Sequence, residues 1–405
     1  MGSAISIGQT GLVASSKQLE VIGNNLANSN TVGFKASSTL FTSMMNQGLS
    51  STGALSVGQG VAVSSLPTQF SQGPVEYTSN VLDMAIDGEG FFIVNNITGA
   101  PLYTRAGAFH INSDNNLVDV RGYKVQGYSL LDDATGTVPT NILLEKARDA
   151  TTTSKVSFGA NLNESTDVGG QFEVSLNVYD SKGGSHTLSM IFEKSADGVW
   201  DVTGTFDGDD GVTISTGTVE FDDTGKLVVP ADDATITIAP TDPDILKGAT
   251  IGDAGVLDWN LTTDASRKLT GYSSDSSVRS LYADGYAAGE LRSLSIDSKG
   301  IISGVYTNGQ TLELAQIALA NFQDQSALTK SGNYFLESTA SGKPTVNKAG
   351  TGGLGDIQGN ALEISNTDVS KEFISMITAQ RAYQANAKVI TTADNMLAEL
   401  MNIKR

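Results

Sequence analysis

Proline is missing from the first 66 residues and from the last 61 of this 405-residue chain, its outermost positions being Pro67 and Pro344. Proline removes a helical hydrogen bond and clashes with the preceding turn, so these two ends are the long stretches free to be helical. At the start, Ile5, Leu12, Leu19 and Leu26 recur every seven residues, with Gly8, Ser15 and Ile22 three positions after the first three. That is one apolar stripe at helical spacing with small residues interleaved. Gly8, Gly11 and Gly23 each weaken such a helix by about 1 kcal/mol relative to alanine, which makes it marginal alone.

The other end repeats the pattern, with Val369, Met376, Tyr383, Ile390 and Leu397 at an unbroken seven-residue interval and Phe373, Ala387 and Met401 beside them. Asp368 is the expected N-cap, Glu372 sits in the first turn, and Lys404 and Arg405 complement the dipole at the far end. A helix from Val369 to Met401 would run about 50 Å. A seven-residue repeat asks for a helical partner in coiled-coil-like packing. The plainer reading, one amphipathic helix lying on its own core, is weakened by the matching stripe at the other terminus. The expected contact residues are Ile5, Leu12, Leu19, Ile22, Leu26, Val369, Phe373, Met376, Tyr383, Ala387, Ile390 and Leu397.

Between the ends the signals turn to sheet, and the 44 glycines fit many turns and short strands. Leu82–Val94 reads as two strands around a glycine turn. Further strands are expected at Leu117–Val120, Lys124–Leu130, Phe172–Tyr179, His186–Phe192, Val199–Phe206, Thr213–Phe221, Lys226–Val229, Thr235–Ala239, Leu291–Ile296, Ile301–Tyr306 and Ile317–Asn321. Their spacing suits an antiparallel sandwich or barrel. The fold class is therefore mixed and mainly β, with α-helical termini.

Net charge is distributed unevenly. Of the total of −19, residues 1–70 carry +1, residues 71–150 carry −5, residues 151–284 carry −14 and residues 285–405 carry −1. Charge that repels like neighbours is concentrated in the middle, while the ends look built for contact. An acidic chain with no basic stripe argues against nucleic-acid binding, and no run approaches the roughly 18 apolar residues of a membrane span. The start lacks the pattern of a cleaved signal peptide. There is no cysteine, hence no disulfide, thiol catalysis or cysteine metal site.

Gln47–Gly60 and Ser341–Gly359 are Gly-rich and read as extended connectors at mirrored positions. A nested organisation follows: a helical module from 1–28 with 366–405, connectors at 29–70 and 355–365, an inner β domain from 71–146 with 284–354, and an outer acidic β domain at 147–283.

Three segments resemble the flagellar axial-protein family, which includes rod, hook and hook-associated proteins. Val21–Lys35 resembles its N-terminal signature through Asn24, Asn25, Ala27, Asn28, Gly33, Phe34 and Lys35. Gly359–Lys388 resembles its C-terminal signature through Ser365, Asn366, Asp368, Gln380, Arg381, Tyr383 and Asn386. Tyr103–Phe109, Asn116–Val118 and Gly122–Tyr128 are similar to the β module of rod and hook subunits. Within the family, the insertion at 147–283 favours a hook-type member over the distal rod. The resemblance implies a non-enzymatic subunit that polymerises with itself into a flexible tube in the extracellular flagellum. It also implies contacts with distal rod subunits, the hook cap and the hook–filament junction protein, and passage through the flagellar type III export machinery without a cleaved signal.

No chemistry competes with this reading. His110 and His186 lack metal-ligand spacing, Asp207–Gly211 lacks the alternating oxygens of a calcium loop, and no nucleophile elbow or phosphate-cradling glycine run is present. No metal, cofactor or catalytic residue is expected. Both end helices are expected to be mobile in the monomer and to order on assembly. The rival from another class is a secreted β-sandwich that binds a surface or glycan, which predicts a stable monomer with ordered ends.

Overall fold

The computed structural model describes residues 2–44, 58–131, 138–240, 242, 244–261 and 267–403. The chain forms two compact units. One is built from Met1–Leu144, Leu294–Gly304 and Leu312–Arg405, the other from Glu145–Ser293 and Val305–Thr311.

In the first unit a helix α1 spans Gly2–Ala27 and a second, α2, spans Val369–Ile403. The N-cap of α2 forms as expected, with Asp368 Oδ1 accepting from the backbone N–H groups of Ser370 at 2.9 Å and Lys371 at 3.2 Å. Lys404 and Arg405, expected to complement the dipole, lie outside the described residues. After α1 the chain forms an antiparallel hairpin of β1, Leu40–Ser43, and β2, Val61–Ser65. The sequence reading had only a connector here, because two short runs without alternation carry no strand period. Most of Gln47–Gly60 falls in residues 45–57, outside the described residues.

The sheet of this unit pairs Phe91–Asn95 with Pro101–Thr104 and with Lys124–Ser129, while the Thr311–Asn321 strand joins both Lys124–Ser129 and Phe91–Asn95. Phe91, Tyr103, Phe322 and Phe335 fill its core, with Phe91 and Phe335 ring centroids 5.6 Å apart. The Ser341–Gly359 segment is not a bare connector. Thr345–Lys348 adds to Thr311–Asn321, and Asp356–Gly359 pairs with Met84–Asp87. Gly350, Gly352 and Gly353, all at positive φ, supply the turns between them, so the glycine run marks a bend between strands. Ala361–Glu363 then pairs with Val75–Tyr77, carrying the chain into α2.

The second unit is a two-sheet sandwich. One sheet orders Val212–Ile214, Ala234–Ile238, Val256–Trp259, Lys155–Asn161 and Ser277–Ala283; the other orders Gln171–Tyr179, Ser185–Ala196, Val199–Phe206, Thr218–Phe221 and Leu227–Val229. Neither closes on itself, so of the two expected forms this is the sandwich and not the barrel. In Gln171–Tyr179 the inward Val174, Leu176 and Val178 are buried and the intervening Glu173, Ser175 and Asn177 exposed, the two-residue period of a half-buried strand. Phe192 of one sheet meets Phe158 and Trp259 of the other at 6.1 and 6.4 Å. The expected single strand Thr213–Phe221 breaks at Ser215–Gly217, and its two halves join opposite sheets.

Candidate functional site

The chain's two ends meet in the first unit at two places, a helix pair and a buried charged junction. Along the pair, a Cβ on Gly8 would fall 2.8 Å from Ile390 Cγ1, and one on Gly11 would fall 2.6 Å from Asn386 Nδ2. At the other end of α1, Asn25 Nδ2 donates to Glu372 Oε1 at 3.1 Å. Partner numbers fall as α1 numbers rise, so the helices run antiparallel. The glycines that weaken α1 as an isolated helix are what let α2 approach.

The buried residues of α1 are Gly8, Gly11, Ala14, Ser15, Val21, Ile22 and Asn25, the first four of them small. Ile22 is buried as expected, but Ile5, Leu12, Leu19 and Leu26 are only half-buried. On α2 the buried points are Ala379 and Ala393, with Met376, Asn386, Ala387, Ile390 and Leu397 half-buried beside them. Val369, Phe373 and Tyr383, expected in the contact, are exposed. A straight helix drifts about 20° per heptad, so a strict seven-residue stripe wanders off a single contact line.

The Asn-rich signature at the end of α1 makes local hydrogen bonds. Asn25 is buried; its Nδ2 also donates to Ser37 O at 2.8 Å, and its Oδ1 accepts from Ser37 N at 3.0 Å. It thereby ties the end of α1 to the returning chain and to the first turn of α2. Asn28 Nδ2 donates to Asn24 O at 2.9 Å, and Asn28 Oδ1 accepts from Thr31 Oγ1 at 3.2 Å, closing the helix. Ala27 is exposed. Gly33 adopts φ 66°, donates its N–H to Glu363 O at 2.7 Å and lies where a Cβ would meet Ala106 N at 2.3 Å. Only glycine fits there.

The next two residues enter the core. Phe34 is buried with Lys330 Nζ 4.0 Å from its ring centroid. Lys35 Nζ donates to Glu363 Oε1 at 2.6 Å and to Ser71 O at 2.7 Å. The same carboxylate accepts from Gly73 N at 2.8 Å and, through Oε2, from Arg105 Nη1 at 3.3 Å, while Arg105 Nη2 reaches Gly88 O at 2.8 Å. All three charged side chains are at most 3% exposed. Burial pushes the Lys35 amine below its usual range, with Glu363 opposing the shift and Arg105 adding to it. Burial likewise lowers the Arg105 guanidinium, again against Glu363. Asn366 completes the junction: its Oδ1 accepts from Ala36 N at 2.8 Å, and its Nδ2 donates to Gln69 O at 2.8 Å and Ser71 O at 3.0 Å. Ser365 Oγ donates to Thr367 Oγ1 at 2.8 Å.

Thus Asn25, Gly33, Phe34, Lys35, Ser365, Asn366 and Asp368 gather where the ends converge. Gln380, Arg381 and Tyr383 stand exposed along α2, away from that junction. Arg105 and Glu363 were absent from the expected set. Their signal was the rarity of charge around them: Lys35 is one of only two bases in residues 1–70, and a buried base requires an acid. This arrangement has no nucleophile–base pair; it fastens three distant segments together.

Neither histidine stands in a metal-ligand group, and none of three or more ligating side chains occurs among the described residues. His186 sits between two carboxylates, Nδ1 at 2.7 Å from Asp207 Oδ2 and Nε2 at 3.2 Å from Asp180 Oδ2. Burial pushes the Asp180 carboxyl up, but His186 and the N–H groups of Gly184 and Lys182 together outweigh it and hold it below the usual range.

Comparison with known proteins adds the lineage. Residues 5–35 match the model described as flagella basal body rod protein, and residues 358–403 the flagellar basal body rod FlgEFG protein C-terminal. Residues 85–161 match the flagellar hook protein FlgE/F/G D1 domain, and residues 144–286 the flagellar basal body protein FlaE D2 domain. The flagellar hook protein FlgE of Borreliella burgdorferi is 32% identical over 440 aligned positions, covering 98% of each chain. That of Escherichia coli is 34% identical, covering 99% of this chain and 100% of its own.

The chain belongs to the flagellar hook protein family.

A crystal structure of a Helicobacter pylori flagellar hook protein shares its fold, with a TM-score of 0.54 at 15% identity over 71% of this chain. The family match covers the central insertion as well as both ends, which favours the hook over the distal rod and over a secreted binding sandwich.

Proposed function

We infer that this chain is a non-catalytic structural subunit of the bacterial flagellar hook, self-assembling into a flexible, curved helical tube that links rod to filament outside the cell. The observation that carries this is the likeness to hook proteins over nearly the whole chain, at both ends and through the insertion. The geometry fits it. Identical subunits joined head-to-tail by a rotation that does not close give a helical tube, and such joining needs apolar surface that the monomer leaves uncovered. Phe373, Ile374 and Ile377 of α2 supply it.

In this reading Ile5, Leu12, Leu19, Ile22, Leu26 and the α2 residues Val369, Phe373, Met376, Tyr383, Ala387, Ile390 and Leu397 serve the packing of the terminal module. The signature residues divide into those that fasten the ends, such as Asn25 and Lys35, and those free to meet neighbours, such as Gln380 and Arg381. The helical module of 1–28 with 366–405 lines the tube, the inner β domain of 71–146 with 284–354 transmits axial contact, and the acidic 147–283 faces solvent. Distal rod subunits, the hook cap and the hook–filament junction protein are its neighbours, and the flagellar type III export machinery its route. Electron microscopy of purified protein after induced polymerisation tests the reading. Short curved tubes are the expected result; a monodisperse monomer under every polymerising condition overturns it.

A further inference from the structure

The acidic sandwich buries a histidine between two carboxylates that belong to different turns. His186 is 9% exposed and Asp180, on one side of its ring, 5%. Asp180 opens the turn between Gln171–Tyr179 and Ser185–Ala196. Its Oδ1 accepts from Lys182 N at 2.8 Å and Gly184 N at 2.7 Å, while its Oδ2 lies 3.2 Å from the ring's Nε2. On the other side Asp207, at φ 49°, follows the strand Val199–Phe206. Its Oδ1 accepts from Thr187 N at 2.7 Å, and its Oδ2 lies 2.7 Å from Nδ1. The Phe206 ring stacks on the imidazole with centroids 5.0 Å apart.

We propose that His186 holds a proton on each ring nitrogen and acts as a proton-dependent bolt between these two turns, fixing the segment by which the chain enters the sandwich. A neutral imidazole has one N–H and one lone pair, so between two carboxylates that already accept backbone N–H groups it would set its lone pair against one of them. An imidazolium donates to both. The same turns and the segment beside them also carry Lys182, whose Nζ donates to Lys247 O at 2.8 Å, together with Lys247, Asp209 and Asp210. With Asp180 and Asp207 that makes four acids to two bases, a surround that favours the charged ring. The Asp180 turn passes the constraint on. Ser181 N donates to Thr250 O at 2.8 Å, and Thr153 N to Tyr179 O and Gly252 N to Thr153 O, each at 2.9 Å. Thr153 leads directly into the strand Lys155–Asn161. The stability that the bolt supplies is present while the ring is protonated and is lost as pH rises.

The chain's other histidine, His110, is exposed, so full-length protein with isotope-labelled histidine gives two imidazole signals in nuclear magnetic resonance, and H110Q assigns them. At about pH 7.5, where an ordinary imidazole titrating near 6.5 is mostly neutral, both ring nitrogens of His186 are expected to carry protons. In H186Q, hydrogen exchange at residues 151–153, 179–184 and 250–252 is expected to run about tenfold or more faster than in wild type at the same pH, the scale of a hydrogen bond to a charged group. That difference should close at the pH where the wild-type ring becomes neutral. A bare ring nitrogen on His186 at about pH 7.5 overturns the inference. So does an exchange difference that persists after the ring has lost its second proton, which would leave His186 a packing residue. If H186Q does not fold, the wild-type resonances and the pH dependence of wild-type exchange at these residues, relative to the unfolded chain, decide between the same two outcomes.

Discussion

Replacing Glu363 by Gln removes one charge from the junction and leaves its volume almost unchanged. Glu363 accepts from Lys35, Arg105 and Gly73, all with the carboxylate fully buried. Gln keeps one acceptor oxygen and turns a donor toward two cations, leaving Lys35 and Arg105 buried without an anion. Removing one partner of a buried ion pair costs about 3–5 kcal/mol, against a total domain stability of about 5–15 kcal/mol. At a urea slope of about 2 kcal/mol/M the midpoint of the first unit should fall by about 1.5–2.5 M.

The molecule contains its own control. Its two tryptophans, Trp200 and Trp259, both lie in the core of the acidic sandwich, whereas α1 and α2 belong to the first unit. Urea unfolding followed at once by far-ultraviolet circular dichroism and by tryptophan fluorescence should show the helical transition shifted and the fluorescence transition unmoved. Lys35 adds a pH signature. Its folded pKa lies below 10.5, so the unfolded chain binds more protons between the two values. Its contribution is therefore fully present above 10.5 and lost as pH falls through the lowered value. Without Glu363 to favour the ammonium, that value drops further, and the defect of E363Q should shrink as pH rises toward 10.5. A helical midpoint within about 0.5 M of wild type, or a defect that grows in alkali, would refute the assignment of Glu363 as the anchor of the junction.

Asn25→Ala removes three hydrogen bonds at a buried site and should cost about 1–3 kcal/mol in the circular dichroism transition, leaving fluorescence unchanged. Gly11→Leu drives a side chain into Asn386 and should abolish tube formation in electron micrographs while the sandwich melts normally. Acidification should weaken the sandwich through Asp180: its depressed pKa gives stability present above about 3.8 and lost as pH falls through the folded value, read by tryptophan fluorescence and reduced in His186→Ala. Deleting 147–283 should leave polymerisation intact, and loss of all polymer on sedimentation would contradict placing the main contacts in the ends.

The helices were legible because their signals are local: missing proline, a capping Asp368 and an apolar repeat. Most strands of the sandwich were legible because Gln171–Tyr179 and its neighbours alternate with period two. On α1 the buried line follows the small residues interleaved in the expected stripe, Gly8 and Ser15 with Gly11, while the apolar Leu12 and Leu19 of the same stripe are half-buried. The helix propensity of glycine counted against it, and only the partner's proximity reverses the sign. The junction was half legible. Gly33, Phe34 and Lys35 stood out as a run, but Arg105 and Glu363 become partners of Lys35 only when segments far apart in the chain meet, and no spacing rule spans that distance.

That distance also shows why ends and middle can serve different purposes. The bond from Lys35 to Glu363 closes a loop of 328 residues. Closure entropy grows only with the logarithm of loop length, so taking roughly 140 residues out of that loop changes its cost by only about 0.5 kcal/mol, a small fraction of what the ion cluster contributes. The sandwich has its own core of Phe158, Phe192, Trp200 and Trp259, and the junction's charges belong to the other unit. An insertion at that point in the chain is therefore thermodynamically cheap for the terminal module. Its surface can accumulate the chain's negative charge while the neutral ends retain the glycines, asparagines and buried cations that their packing requires.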